Sequence, residues 1–132
     1  MNIDVDVRPI RARLRSHSKE LFGKRYRLEV ILAVGASEDP IWSRRMAETL
    51  RLPENQVSVE LKTLAHLGAL QLFPSIHDRR KLYQLVAHPI WAFARELLES
   101  TIRELYPEEP RQALGAYWSE VLAMPQPRPV PT

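Results

Sequence analysis

The chain has 132 residues, 45% hydrophobic and 27% charged, which suits a single globular domain and excludes a disordered protein. It has no cysteine, which excludes disulfides and thiolate metal sites, and no apolar run suited to a membrane span or secretory leader. We therefore expect a cytoplasmic protein. The formal net charge is +3, and residues 41–86 hold seven Lys/Arg against four Asp/Glu. This distribution favours a polyanionic partner for the front part of the chain.

The first residues combine arginines with little apolar periodicity. Residues 1–17 carry Arg8, Arg11, Arg13 and Arg15 around Pro9. We predict a basic N-terminal arm over 1–17 that leads into a short helix at 18–22. Such an arm could follow a DNA groove, and a solvated segment is the alternative.

A core helix is predicted next, in "KRYRLEVILAVGAS". It places Tyr26, Val30, Ile31 and Val34 on one face, with Gly35 at its end. Residues 41–42 could form a short strand. Ser43 is a suitable N-cap for a helix over "RRMAETL".

Two periods compete in "LRLPENQVSVELKTLAHLGAL", residues 50–70. A strand would alternate Val57, Val59 and Leu61 with polar residues, whereas a helix would place Val57, Leu61, Leu64 and Leu67 on one face. The helical spacing extends over four turns, while the alternation covers five residues. Pro53 in the first turn and Gly68 at the end also suit a helix, so we predict one over 53–67.

The remaining elements are a hairpin and two helices. Alternating apolar residues on both sides of a tip at 74–80 predict the hairpin. His88 precedes a helix with a wide apolar stripe, and "YPEEP" separates it from a last amphipathic helix in "RQALGAYWSEVLAM". The Pro-rich tail, 125–132, should be extended and disordered.

The order helix, short strand, helix, turn, helix, hairpin resembles the winged helix-turn-helix of ArsR- and MarR-type bacterial transcription regulators. In "SRRMAETLRLPENQVSVELK", a small residue, Ala47, occupies the place where two helices would cross, and Leu50 and Leu52 flank the turn. The resemblance covers about residues 24–86, with 89–105 as the following helix. Many members have Gly in the turn where this chain has Arg51. We therefore expect about 1 kcal/mol of backbone strain there, or another form of the turn.

The expected fold is mainly α with a small β-hairpin, a winged helix-turn-helix with additional C-terminal helices. Its predicted parts are the arm (1–17), a DNA-binding domain (18–86), C-terminal helices for dimerisation (87–124) and the tail (125–132).

The resemblance implies a recognition helix over 53–67 that enters the major groove of double-stranded DNA. Amide and small side chains at its start would contact bases, since Asn and Gln bond adenine edges. The predicted base contacts are Asn55, Gln56 and Val59. Cations and hydroxyls around it would contact the backbone or minor groove. These are Arg44, Arg45, Ser58 and Lys62, and in the wing, residues 74–81, Arg79, Arg80 and Lys81. Solvated helix residues and an ordinary charged hairpin tip are the alternatives.

The C-terminal helices carry more apolar surface than a small winged helix can cover, which favours a homodimer with two paired recognition helices. The predicted dimer contacts are Ile90, Phe93, Leu97, Leu98, Tyr117, Trp118 and Val121. In a monomer these helices would instead fold back on Trp42 and Phe22.

Nothing in the sequence indicates a cofactor or an enzyme. The histidines, His17, His66, His77 and His88, lack a metal-ligand spacing, and no Gly-rich phosphate loop or nucleophile elbow occurs. We therefore predict a homodimeric, sequence-specific transcription regulator that binds no metal. The alternative is a winged helix used as a protein-interaction or assembly module, with the C-terminal helices and Pro-rich tail contacting a protein partner.

Overall fold

The computed structural model describes residues 5–38, 40–73 and 80–123. It has the expected composition of elements, mostly helices with one antiparallel hairpin. The elements are α1 (Arg8–Phe22), α2 (Arg27–Gly35), α3 (Ser43–Leu50), α4 (Glu54–Leu67), β1 (Leu70–Phe73), β2 (Leu82–Leu85), α5 (Pro89–Leu105), α6 (Pro110–Trp118) and a π-helical segment, Ser119–Ala123.

The chain divides into two compact units. The first, called here the hairpin unit, is Val30–Phe93 and contains α3, α4, β1 and β2. The second, the helical unit, combines Met1–Glu29 with Ala94–Thr132 and contains α1 and α6.

Helix α1 begins at Arg8, so the prediction of an arm over 1–17 is wrong for residues 8–17. Pro9 is tolerated in the first turn of a helix, where its missing N–H would have no helical partner. Ile10 and Leu14 are fully buried one turn apart and hold one face of the helix in the core. This apolar repeat is short and interrupted by arginines, which is why the sequence pattern does not reveal it.

The end of α2 lies close to a tryptophan ring. Gly35 ends the helix as predicted, and a Cβ at this position would lie 2.9 Å from Cε3 of Trp91. The indole N–H of Trp91 donates to the carbonyl of Val86 at 2.8 Å, which holds the ring in place. Gly35 therefore permits close packing of Trp91 in the hairpin unit.

The hairpin pairs β1 and β2 from Leu70↔Leu85 to Phe73↔Leu82. Ile41 adds an isolated antiparallel bridge to Tyr83, with backbone N–H···O distances of 2.8 Å in both directions. In place of the short strand suggested at 41–42, the structure has this single bridge at Ile41, and Trp42 precedes α3. The predicted tip residues 74–79 lie outside the described residues, as do Met124 and the tail 125–132.

Two helix starts differ from the prediction by one residue. Trp42 is the N-cap of α3 and makes no side-chain capping bond, whereas Ser43, the expected cap, is the first helical residue. Pro53 is likewise the N-cap of α4, and its carbonyl accepts from the N–H groups of Gln56 and Val57 at 3.2 Å. At the start of α5, Nδ1 of His88 accepts from Ile90 N at 3.0 Å and caps the helix.

The buried face of α4 contains Val57, Leu61 and Leu64, as predicted. Leu67 was expected there but is 51% exposed, and Glu60 is buried instead. At about 100° per residue, Leu67 lies roughly 80° around the helix from Val57, away from the centre of the buried face. It is also the last residue of the helix. The last predicted helix, 111–124, is also not uniform, because α6 passes into the π-helical segment after Trp118.

Candidate nucleic-acid interface

Helices α3 and α4 are joined by a turn in which Arg51 is left-handed, with φ 58° and ψ 48°. The backbone N–H of Leu52 donates to the carbonyl of Ala47 at 3.0 Å and closes the turn. Leu50 and Leu52 are buried on either side of it. Of the two turn forms expected from the sequence, the chain therefore adopts the left-handed one, at a cost of about 1 kcal/mol for a residue with a Cβ.

This turn presents the start of α4 to solvent. Because Val57 and Leu61 face the core, Asn55, Gln56 and Val59 lie on the open side, where Val59 is 49% exposed. An apolar side chain on a helix surface beside two amides is suited to contact with base edges, where it can meet a thymine methyl group. Of the predicted backbone contacts on α4, Lys62 is exposed and Ser58 is half-buried.

The wing contributes cations beside the start of β2. Arg80 and Lys81 are exposed and directly precede Leu82, which pairs with Phe73. Tyr83, the bridge partner of Ile41, is buried, and this burial raises the pKa of its phenol. The third predicted wing cation, Arg79, lies outside the described residues.

These elements enclose a pocket of about 300 Å³ in the hairpin unit. Its walls come from the starts of α3 and α4 and from the wing. The lining residues are Trp42, Ser43, Arg44, Glu54, Ser58, Arg80 and Lys81. Four of the predicted backbone contacts, Arg44, Ser58, Arg80 and Lys81, are thus brought to one place although they span 38 positions of the sequence.

Trp42 organises the cations around this pocket. Its ring centroid lies 4.5 Å from the guanidinium carbon of Arg80 and 5.5 Å from that of Arg45. Both distances are within the range of cation–π attraction. The tryptophan therefore couples the wing to the first helix of the pair, a role that the sequence pattern does not reveal.

One acidic side chain lies among these groups. Glu54, the first residue of α4, accepts a hydrogen bond from Oγ of Ser43 at 3.1 Å. Its other carboxylate oxygen is 4.0 Å from Nε of Arg44. The side chains of Arg44 and Glu54 are 73% and 52% exposed, so solvent screens this pair strongly.

The chain matches a known protein in structure but not in sequence. No protein-family model matches the sequence, and no curated protein matches it. Among solved structures, the chain is similar to MepR, a transcription regulator of the Staphylococcus aureus multidrug efflux pump MepA, with a TM-score of 0.57. The two are 15% identical, and the match covers 86% of this chain and 87% of MepR. The chain has a winged-helix fold.

The arginines of α1 do not line the pocket formed by α3, α4 and the wing. Arg11 and Arg15 each direct Nε to one carboxylate oxygen of Glu29, at 2.6 Å. Arg13 pairs with Glu104 at 2.7 Å, and Arg8 pairs with Asp6 at 2.8 Å. The prediction that these arginines form a free basic arm is therefore wrong, because acidic side chains of the same helical unit pair with all of them.

The pair at the start of α1 also affects titration. Hydrogen bonds from the side chain and backbone N–H of Arg8 lower the pKa of Asp6 to about 2. The Asp6 carbonyl accepts from the hydroxyl of Tyr106 at 2.7 Å. These bonds anchor the start of the helical unit.

The centre of the helical unit contains a buried ionic group. The Glu29 side chain is fully buried, while those of Arg11 and Arg15 are 15% and 28% exposed. The hydroxyl of Tyr117 is buried and has no hydrogen-bond partner among the described residues. Burial raises the pKa of this phenol, and the negative charge of Glu29 raises it further.

Three of the predicted dimerisation residues are buried in the core of the single chain. Leu98, Tyr117 and Val121 are at most 1% exposed. A buried side chain offers no surface to a partner, so the prediction is wrong for these three. Phe93 is 44% exposed, and the remaining predicted contacts, Ile90, Leu97 and Trp118, are half-buried.

Residues 5–38, 40–73 and 80–123 contain neither a candidate metal site nor a membrane-spanning helix. No three His, Asp or Glu side chains there are grouped so that they could hold a metal ion. Nor does this part of the chain contain a helix long and apolar enough to cross a membrane. Of the four histidines, His77 lies outside the described residues.

Proposed function

We propose that the protein is a sequence-specific double-stranded DNA-binding transcription regulator. The observation that carries this proposal is the position of the amide-bearing start of α4 beside the cations of one pocket. Asn55 and Gln56 are exposed there, and the pocket is lined by Arg44, Arg80 and Lys81. Amides suit base edges and cations suit phosphates, so one face of the hairpin unit could engage both parts of a duplex.

The winged-helix fold and the likeness to a transcription regulator support the same proposal. In this arrangement α4 is the recognition helix in the major groove, with Asn55, Gln56 and Val59 against bases. Ser58 and Lys62 would contact phosphates from the same helix, and Arg44 and Arg45 from the first helix of the pair. The wing, with Arg80, Lys81 and the undescribed Arg79, would reach the flanking backbone or minor groove.

We further propose that it acts as a homodimer through the helical unit. Leu97 and Trp118 are half-buried there, and Leu122 is 36% exposed, so apolar surface remains on its helices. A second copy would cover this surface and pair two recognition helices across a two-fold axis. A mass in solution of twice the 15.3 kDa chain is expected. Leu122→Glu should shift it to one chain, whereas Leu67→Glu, at an exposed position of the hairpin unit, should not.

The experiment that tests DNA recognition is selection from random duplexes at physiological salt, followed by binding measurements on the selected sequence. We expect one motif to be enriched. Asn55→Ala or Gln56→Ala should relax the preference at a defined base pair, at a cost of about 1–3 kcal/mol for the original sequence. Enrichment of no motif, with only weak and salt-sensitive binding, would contradict the proposal.

The cations are tested by their salt dependence. Arg80→Ala with Lys81→Ala should weaken binding to all duplexes alike and reduce the log–log salt slope by about 2, roughly 0.9 for each lost phosphate contact. The matched control is Lys19→Ala with Lys24→Ala, which removes two exposed cations from the helical unit. Equal effects of the two double variants would show that net charge, and not the pocket, governs binding.

A further inference from the structure

We propose that Glu54 is an intramolecular competitor of the DNA backbone, which limits how tightly the recognition face binds duplexes of any sequence. This inference rests on the proposed function of the same face. In the free protein the carboxylate engages groups that a phosphate would otherwise use. DNA must displace the carboxylate before the phosphate can take its place.

The Glu54 side chain reaches from the start of α4 to the start of α3. It accepts from the hydroxyl of Ser43 at 3.1 Å and approaches Nε of Arg44 to 4.0 Å. Ser43 and Arg44 are the first two residues of α3, and Glu54 is the first residue of α4. Hydroxyl and guanidinium donors that accept a carboxylate also suit a phosphate oxygen, because both are anionic oxygen acceptors.

The charges in the pocket agree with a displaceable contact. Glu54 is the acidic side chain in a lining that also contains Arg44, Arg80 and Lys81. More than half of both side chains of the Arg44–Glu54 pair is exposed, so solvent screens the pair and an incoming phosphate can replace the carboxylate. Each phosphate contact of Arg44 then requires the loss of its contact with Glu54, which lowers affinity without regard to sequence.

Two other roles for Glu54 give different results on substitution. A carboxylate on a recognition helix can accept from the amino group of cytosine, in which case its loss harms only the selected sequence. An acidic residue in the first turn can also simply favour the helix dipole, in which case its loss changes stability and not DNA binding.

The test compares Glu54→Gln with the wild-type chain on two duplexes of equal length, the selected sequence and an unrelated one, over a series of salt concentrations. Gln keeps the length of the side chain and an acceptor for Ser43 but removes the charge. We expect tighter binding to both duplexes by the same factor. One additional phosphate contact corresponds to a gain of about eightfold at ~0.1 M salt and a slope steeper by about 0.9.

The matched control is Glu48→Gln, which removes one exposed charge from α3 outside the pocket. Combining Glu54→Gln with Arg44→Gln tests the partner, and the gain should disappear in this background. The proposal is overturned by a gain no larger than that of Glu48→Gln, by a gain that survives without Arg44, or by a loss confined to the selected duplex. Failure of the wild-type chain to bind either duplex contradicts the proposed function itself and is distinguished by that measurement.

Discussion

Replacing the buried carboxylate Glu29 with Gln should destabilise the protein severely. Glu29 is fully buried and accepts from Arg11 and Arg15 at 2.6 Å each. Glu29→Gln would remove the counter-charge that Glu29 supplies to two largely buried guanidinium groups. Breaking a buried ion pair by removing one partner costs about 3–5 kcal/mol, because the remaining charge keeps its desolvation penalty. The expected loss is therefore a large part of the roughly 5–15 kcal/mol that stabilises a typical domain.

The size of this effect depends on burial. Helix α1, which carries Arg11 and Arg15, also provides an exposed ion pair as the control. Arg13 pairs with Glu104 at 2.7 Å, but these side chains are 37% and 58% exposed. Glu104→Gln should therefore cost no more than about 1 kcal/mol. Replacing Arg11, Glu29 and Arg15 together with Met should cost much less than Glu29→Gln, since no buried charge remains unpaired.

Urea unfolding followed by circular dichroism measures all of these variants, with the free energy of unfolding extrapolated to water. The prediction is an order of severity in which Glu29→Gln is worst. Similar losses for Glu29→Gln and Glu104→Gln would refute the reasoning, because they would mean that the Glu29 group is not desolvated in solution. A triple Met variant as unstable as Glu29→Gln would also refute it.

Two further predictions concern single strained or unpaired groups. The Tyr117 hydroxyl is buried without a partner among the described residues, so Tyr117→Phe should raise the free energy of unfolding by about 1 kcal/mol. Burial also raises the pKa of this phenol above its ordinary 10.0. Stability should therefore fall as the pH rises above about 10, and the variant should lose less in this range. A variant with the wild-type alkaline profile would contradict this assignment. Arg51 has a φ of 58°, so Arg51→Gly should stabilise by up to about 1 kcal/mol, whereas Arg45→Gly within α3 should destabilise by a similar amount. Thermal unfolding compares the two, and a loss in both would show that side-chain contacts of Arg51 outweigh the backbone strain.

The elements that the sequence predicts well are those with strong local signals. Helical spacing in α4 outlasts the competing alternation, and Pro53 and Gly68 bracket it. The hairpin follows from alternating residues on both sides of a polar tip. These signals depend on residues within a few positions of one another. The spacing of the apolar residues distinguishes a helix from a strand.

The features that the sequence predicts poorly depend on residues that are distant in sequence. Arg11 and Arg15 resemble a solvated arm until Glu29, 18 and 14 positions away, is known to receive them. A carboxylate in the apolar run "LEVILAV" gives no local sign of its guanidinium partners. The pocket is a similar case, because Glu54 meets Ser43 and Arg44 only once the left-handed turn at Arg51 has set the angle between α3 and α4.

Contacts within the chain explain why some of the predicted dimer contacts are wrong. Apolar spacing identified a helix face at Leu98 and Tyr117, but spacing alone does not state which neighbour covers that face. The fold covers it within the chain and leaves Phe93 and Leu122 more exposed. Sequence periodicity therefore locates contact faces more reliably than it assigns their partners.

The position of Trp42 gives the hairpin unit a built-in optical reporter. The chain has three tryptophans, and Trp91 and Trp118 do not line the pocket. With those two replaced by Phe, indole emission would come from Trp42 alone, between guanidinium groups of the wing and of α3. Any ligand that draws Arg80 or Arg45 away from the ring would then change the emission without an attached dye, and would report on the coupling between wing and helix as it occurs.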